Sequence, residues 1–129
     1  MIRKRSILLI IIVILTAIVV SVNLGAFKKY VILGTWKGEA VSENGNSVKT
    51  DWSKVQFTFK WNGEYSYFNS SEYLENGKYH LENNMLLTTP LNENSGINRS
   101  VEIIQLRLNS LILRMNNNGN EIILQLKRL

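Results

Sequence analysis

The side chains that could do acid–base, nucleophilic or metal chemistry in this chain are few and stand apart. His80 is the only histidine, and it alternates with Tyr79 and Leu81, which places it on the opposite face of a strand, beside Lys78 and toward solvent. One imidazole without a second His or a Cys makes no zinc ligand set, and as a general base it has no orienting partner in the sequence. Cysteine is absent, which removes disulfides, thiolate ligands, thiol catalysis and a lipid-modified cysteine together. The acidic residues occur singly, and no Gly-rich phosphate loop, serine elbow or paired-carboxylate motif is present. These residues predict no enzyme, no cofactor and no metal; the weak alternative is an enzyme built on His80.

The chain is better supplied for apolar contact. Val55, Phe57, Phe59 and Trp61 alternate with Lys54, Gln56, Thr58 and Lys60, the period of a strand with one face inside. Continued along the chain, the same alternation predicts that Trp36, Phe57, Phe59, Trp61, Tyr65, Tyr67 and Tyr79 all point inward. Tyr65, Tyr67, Phe68 and Tyr73 also cluster around a Ser-rich tip and could form a binding mouth, because Tyr joins apolar area to a polar handle. Ordinary strand filling is the simpler reading of that cluster.

Positioning those aromatics requires sheet. Apolar alternation separated by turn residues marks strands over 31–42, 54–61, a return through Tyr65 and Tyr67, then 72–81, 85–89, 100–108, 111–115 and 121–128. In the first of these, Trp36, Gly38 and Ala40 share one side and Lys37, Glu39 and Val41 the other. Asn62-Gly63 predicts a tight type I′ hairpin, which needs positive φ at both central residues, and Asn76-Gly77 predicts a turn or bulge within 72–81. The polar stretch 90–98 is the longest connection and is expected at a rim. About eight short strands with hairpin-length connections predict an all-β fold, an antiparallel up-and-down β-barrel rather than a sandwich.

Ahead of this domain, residues 7–22 are a run of sixteen broken only by Thr16 and Ser21, and about twenty helical residues cross a bilayer. Residues 1–29 are therefore expected to be a signal-anchor transmembrane helix and 30–129 the β domain. No good small-x-small cleavage site follows, which favours an uncleaved anchor over a secreted product. Arg3, Lys4 and Arg5 outweigh Lys28 and Lys29, predicting a single-pass protein of the bacterial cytoplasmic membrane with its domain outside. Removing these five from the fifteen Lys and Arg leaves ten, against ten Asp and Glu. The formal charge of +5 thus belongs to the membrane flanks, and the basic face needed for nucleic acid is missing.

Leu33-Gly34-Thr35-Trp36-Lys37, opening the first strand, resembles the Gly-x-Trp start of small bacterial lipocalin-like domains, and 57–67, 77–87, 111–115 and 122–126 are similar to later parts of that pattern. The resemblance covers residues 33–129. It implies that Gly34 and Trp36 sit at a closed barrel end with a basic residue of the last strand over the indole. Parity agrees: Ile122, Leu124, Leu126 and Arg128 share a side. Arg128 over Trp36 would gain a cation–π term of about 0.5–2 kcal/mol; the alternatives are a frayed Arg128 or Lys127 in its place. The resemblance further implies a small hydrophobic ligand in the barrel interior. Seven large aromatics could instead fill an eight-stranded barrel, leaving its outer face or the 90–98 loop to dock another envelope protein. An interior void of several hundred Å³ separates the two readings.

Overall fold

The computed structural model describes residues 9–14, 27–69, 73–91 and 98–129. Its strands are β1 (Gly34–Glu43), β2 (Asn46–Ser47), β3 (Val55–Phe59), β4 (Glu64–Asn69), β5 (Tyr73–Glu82), β6 (Met85–Pro90), β7 (Arg99–Leu106), β8 (Ser110–Asn117) and β9 (Asn120–Arg128), with one 3₁₀ turn at Trp52–Lys54. Every pairing is antiparallel, and β1 bonds to both β3 and β9, so eight strands close into an up-and-down barrel. The two-residue β2 only folds back on the end of β1. Closure gives each of the eight long strands a neighbour on both sides, which among the described residues leaves no long strand at a sheet edge.

The type I′ turns occur where Asn-Gly lies between two residues already in register. Asn44 (φ 50) and Gly45 (φ 83) join β1 to β2, and Asn118 (φ 52) and Gly119 (φ 86) join β8 to β9. Asn62-Gly63, expected to make such a turn, does not. Phe59 pairs with Tyr65, and the Lys60 amide donates to the Glu64 carbonyl at 2.9 Å, leaving a three-residue loop of Trp61, Asn62 and Gly63. Only Gly63 (φ 85) is left-handed there, the geometry of a three-residue hairpin loop. Trp61 is consequently a loop-tip residue and is 88% exposed, which corrects its inward assignment. Asn76-Gly77 is neither turn nor bulge: β5 runs straight through it.

A second correction concerns β1. A β-bulge between Gly38 and Ala40 inserts one residue against β9, and beyond it Val41 rather than Ala40 pairs with inward Leu124. An extra residue inverts the period-two pattern downstream, so Trp36 and Gly38 face inward, then Val41 and Glu43. A comparable shift lies between Ile103 and Gln105 in β7.

Alternating strand direction gathers the start of β1, the end of β3, the β5–β6 turn and the end of β9 at one end of the barrel. Ile32, Trp36, Phe59, Leu111 and Leu126 fill that end and are almost wholly removed from solvent, each contributing about 1.5–3 kcal/mol of apolar burial. Residues 27–31 form a short helix beneath it, with the Ile32 amide donating to the Lys28 carbonyl at 3.1 Å. Lys28 Nζ donates to Asn84 Oδ1 of the β5–β6 turn at 2.9 Å. Residues 9–14 are helical, and among the described residues no helix is long and apolar enough to cross a membrane. Most of the expected anchor lies outside the described residues.

Candidate functional site

The two ends of the barrel differ in how completely side chains fill them. At the closed end the Arg128 guanidinium lies over Trp36, its carbon 4.3 Å from the ring centroid. Arg128 Nε donates to the Leu108 carbonyl and Nη1 to that of Leu33, both at 2.5 Å, while Nη2 donates to Val31. Trp36 Nε1 donates to the Ile32 carbonyl at 2.8 Å. One cation thus ties the β7–β8 turn and the residues before β1 to the end of β9, where strand-end carbonyls have no ladder partner. Gly34 sits against this group with φ 114, and a Cβ there would lie 2.8 Å from Arg128 Nη1. Lys127 is exposed on the other face of β9.

The opposite half is hollow. A cavity of about 670 Å³ opens among the ends of β1, β4 and β8 and the starts of β3, β5, β7 and β9. Its wall is mostly apolar, with Phe57, Leu86, Val101, Leu113, Met115 and Leu124 prominent, and Trp52 and Asn69 lie toward its mouth. The seven aromatics expected inside therefore divide into distinct roles. Phe57, Tyr65 and Tyr67 line the cavity, with Phe57 and Tyr67 rings 4.7 Å apart. Trp36 and Phe59 form its solid floor rather than its wall. Tyr79 packs edge-on to Phe59 at 5.0 Å and donates its hydroxyl to the Lys60 carbonyl, outside the cavity. Trp61 lies on the outer surface of the closed end, beside a shallow groove of about 400 Å³ that Tyr30, Leu33, Tyr79 and His80 also line. His80 is exposed, with Nε2 3.8 Å from Glu82 Oε2.

The cavity wall carries a polar group that the sequence reading missed. Glu75 on β5 is only 1% exposed, and its Oε2 accepts the Tyr65 hydroxyl at 2.9 Å and Arg99 Nη1 at 3.1 Å. Thr88, largely buried on β6, lines the same cavity. Burial, and then the adjacent Glu75 carboxylate, push the Tyr65 hydroxyl well above the ordinary phenol range, so it stays a donor. Space for the ring comes from Gly77, Tyr65's partner across β4 and β5: a Cβ there would lie 2.6 Å from Tyr65 Cε1 and would collide with the Thr89 carbonyl. The available signal was parity, since Glu75 falls on the same side as Tyr79 and Leu81, and Arg99 on the same side as Val101 and Ile103. A turn or bulge at Asn76-Gly77, as expected within 72–81, would break that parity, and β5 has neither.

Residues 32–113, more than half the chain, match the family model of a lipocalin-like domain. Among solved structures, the chain is similar to a lipocalin-like protein from Bacteroides uniformis, with a TM-score of 0.61, 17% identity, and coverage of 77% of this chain and 99% of that one. It is also similar to an uncharacterized protein from Bacteroides eggerthii, with a TM-score of 0.56, 13% identity, and coverage of 72% and 97%. No curated protein matches the chain. At these identities the two structures support the fold alone.

Proposed function

The chain belongs to the lipocalin-like domain family, and from that premise we propose that it is a non-enzymatic binding module that takes a small hydrophobic molecule into the hollow half of its barrel. The observation that carries this reading is the cavity itself: about 670 Å³, apolar over most of its wall, and continuous with solvent at one end of a closed barrel. Ligand pockets typically occupy about 300–1,000 Å³, with a few placed polar groups among apolar ones. A filled barrel used only as an interaction scaffold would not leave that space.

We further propose that the N-terminal segment tethers the domain to the outer face of a bacterial cytoplasmic membrane. The apolar run and its basic flanks support the tether, as do the exposed apolar side chains of helical residues 9–14. The short helix at 27–31 meets the barrel at its closed end, where Tyr30 is 74% exposed, Trp61 projects, and Lys28 and Lys29 add positive charge. Trp and Tyr favour the headgroup zone, and Lys is drawn to anionic lipid. In that arrangement the closed end faces the bilayer and the mouth faces away from it.

Native mass spectrometry of the full-length chain, extracted from its membrane fraction, tests the ligand. A co-purified lipid or other apolar molecule is expected, and it should disappear in Val101→Trp, which fills the cavity wall. A stable chain that is always empty, and whose Val101→Trp variant takes up apolar probes as well as the parent does, would overturn the reading. Carbonate extraction tests the tether separately: the chain should stay with the membrane pellet, and release into the supernatant would refute anchoring without touching the ligand claim.

A further inference from the structure

The cavity wall is not uniformly apolar, and the polar part has a specific charge balance. Among the described residues Arg99 is the one cation on the wall, half exposed at its mouth side, and Glu75 is the anion buried behind it. Their contact at 3.1 Å makes the pair neutral as a unit. Glu43, the other charged lining residue, is again negative. A carboxylate or phosphate brought inside would lose its hydration, an effective cost of several kcal/mol per ion in a protein interior. Arg99 would attract it, but Glu75, 3.1 Å from that guanidinium, and Glu43 near the mouth would repel it, so the loss would stay largely uncompensated.

An uncharged head meets no such penalty. A hydroxyl, ester or amide brings its own donor or acceptor to a place where carboxylate oxygen, guanidinium N–H and hydroxyls are already concentrated, while its alkyl part covers Phe57, Leu113, Met115 and Leu124. We propose that this cavity selects uncharged amphipathic molecules, their polar end at the Glu75–Arg99 pair, over the corresponding fatty-acid anions. The inference rests on the cavity being a ligand site and goes further by naming the class of molecule it takes.

The test uses full-length chain in nanodiscs, with empty nanodiscs as reference, and follows displacement of the neutral fluorophore N-phenyl-1-naphthylamine by dodecanol and by dodecanoate at neutral pH. Dodecanol should displace the probe at concentrations at least about tenfold lower than dodecanoate does, the equivalent of 1.4 kcal/mol or more of the desolvation difference. Glu75→Gln leaves Arg99 without its counter-charge and should shift the preference toward dodecanoate. Arg99→Gln makes the wall more negative still and should weaken dodecanoate more than it weakens dodecanol. If the parent chain prefers dodecanoate, or shows no preference, the inference is overturned and the cavity reading survives. If the probe and both amphiphiles fail to bind the folded chain, both fall. The parent comparison decides the matter even if Glu75→Gln does not fold.

Discussion

Arg128 is the residue whose chemistry is used most fully. Its fork satisfies three carbonyls from two separate segments while its face covers Trp36, a combination that a point charge on a flexible stem cannot reproduce. Arg128→Ala should lower unfolding free energy by about 2–4 kcal/mol, from lost charged hydrogen bonds and the cation–π contact. Arg128→Lys should recover less than half of that in denaturant titrations; full recovery would reduce the residue to a simple positive charge. Tyr65 gives a pH signature. Its folded-state pKa is raised above that of the unfolded chain, by burial first and Glu75 second, so its stabilising effect is complete below about pH 10, the ordinary phenol value, and fades as pH rises beyond it. Alkaline unfolding curves should therefore lose part of their slope in Tyr65→Phe, and an unchanged slope would count against a buried neutral phenol.

Among the elements, two glycines separate backbone conformation from packing. Gly119 has φ 86 and open space around it, so Gly119→Ala should cost only left-handed strain, about 1–2 kcal/mol, and leave the cavity intact. Gly77 lies where β5 is approached by the β6 backbone and the Tyr65 ring. Gly77→Ala should cost about 3 kcal/mol or more through overpacking and should also displace Tyr65 from Glu75, visible as a phenol that titrates closer to its ordinary range. Equal costs for the two variants would contradict the close approach. The bulge in β1 works at the same scale: by inserting Glu39 it turns Val41 and Glu43 inward, so a single strand supplies both the floor aromatic Trp36 and part of the cavity wall.

At the scale of the whole molecule, the fold depends on β9 pairing with both β8 and β1. Removing residues 120–129 would expose two long strand edges and delete Arg128, and exposed edges invite association. That truncation should abolish cooperative unfolding and yield aggregated protein; a soluble truncated chain with a sharp transition would show that closure is dispensable. The same closure produces the asymmetry between floor and cavity, because Ile32 and the 27–31 helix reach only one mouth of the ring.

Much of the barrel was legible in the residues. Period-two runs such as 55–59 and 122–126 dictate strands with a buried face, because side-chain alternation is a local property that each segment carries by itself; Asn-Gly makes type I′ turns at 44–45 and 118–119 but not at 62–63 or 76–77, so the pair marks a turn only where strand register allows one. Parity alone also put Arg128 on the same side as Leu124 and Leu126. Tertiary structure decided the rest. Whether Trp61 sits in strand or loop depends on which residue of β4 meets Phe59, a register set by the partner strand. Whether Ala40 or Val41 faces inward depends on a bulge that exists only when β1 is matched against β9. And the distinction between seven aromatics filling a barrel and three lining a cavity, with Glu75 and Arg99 beside them, is one of volume. It is settled by how far apart closed strands hold their side chains, a quantity that no single segment contains.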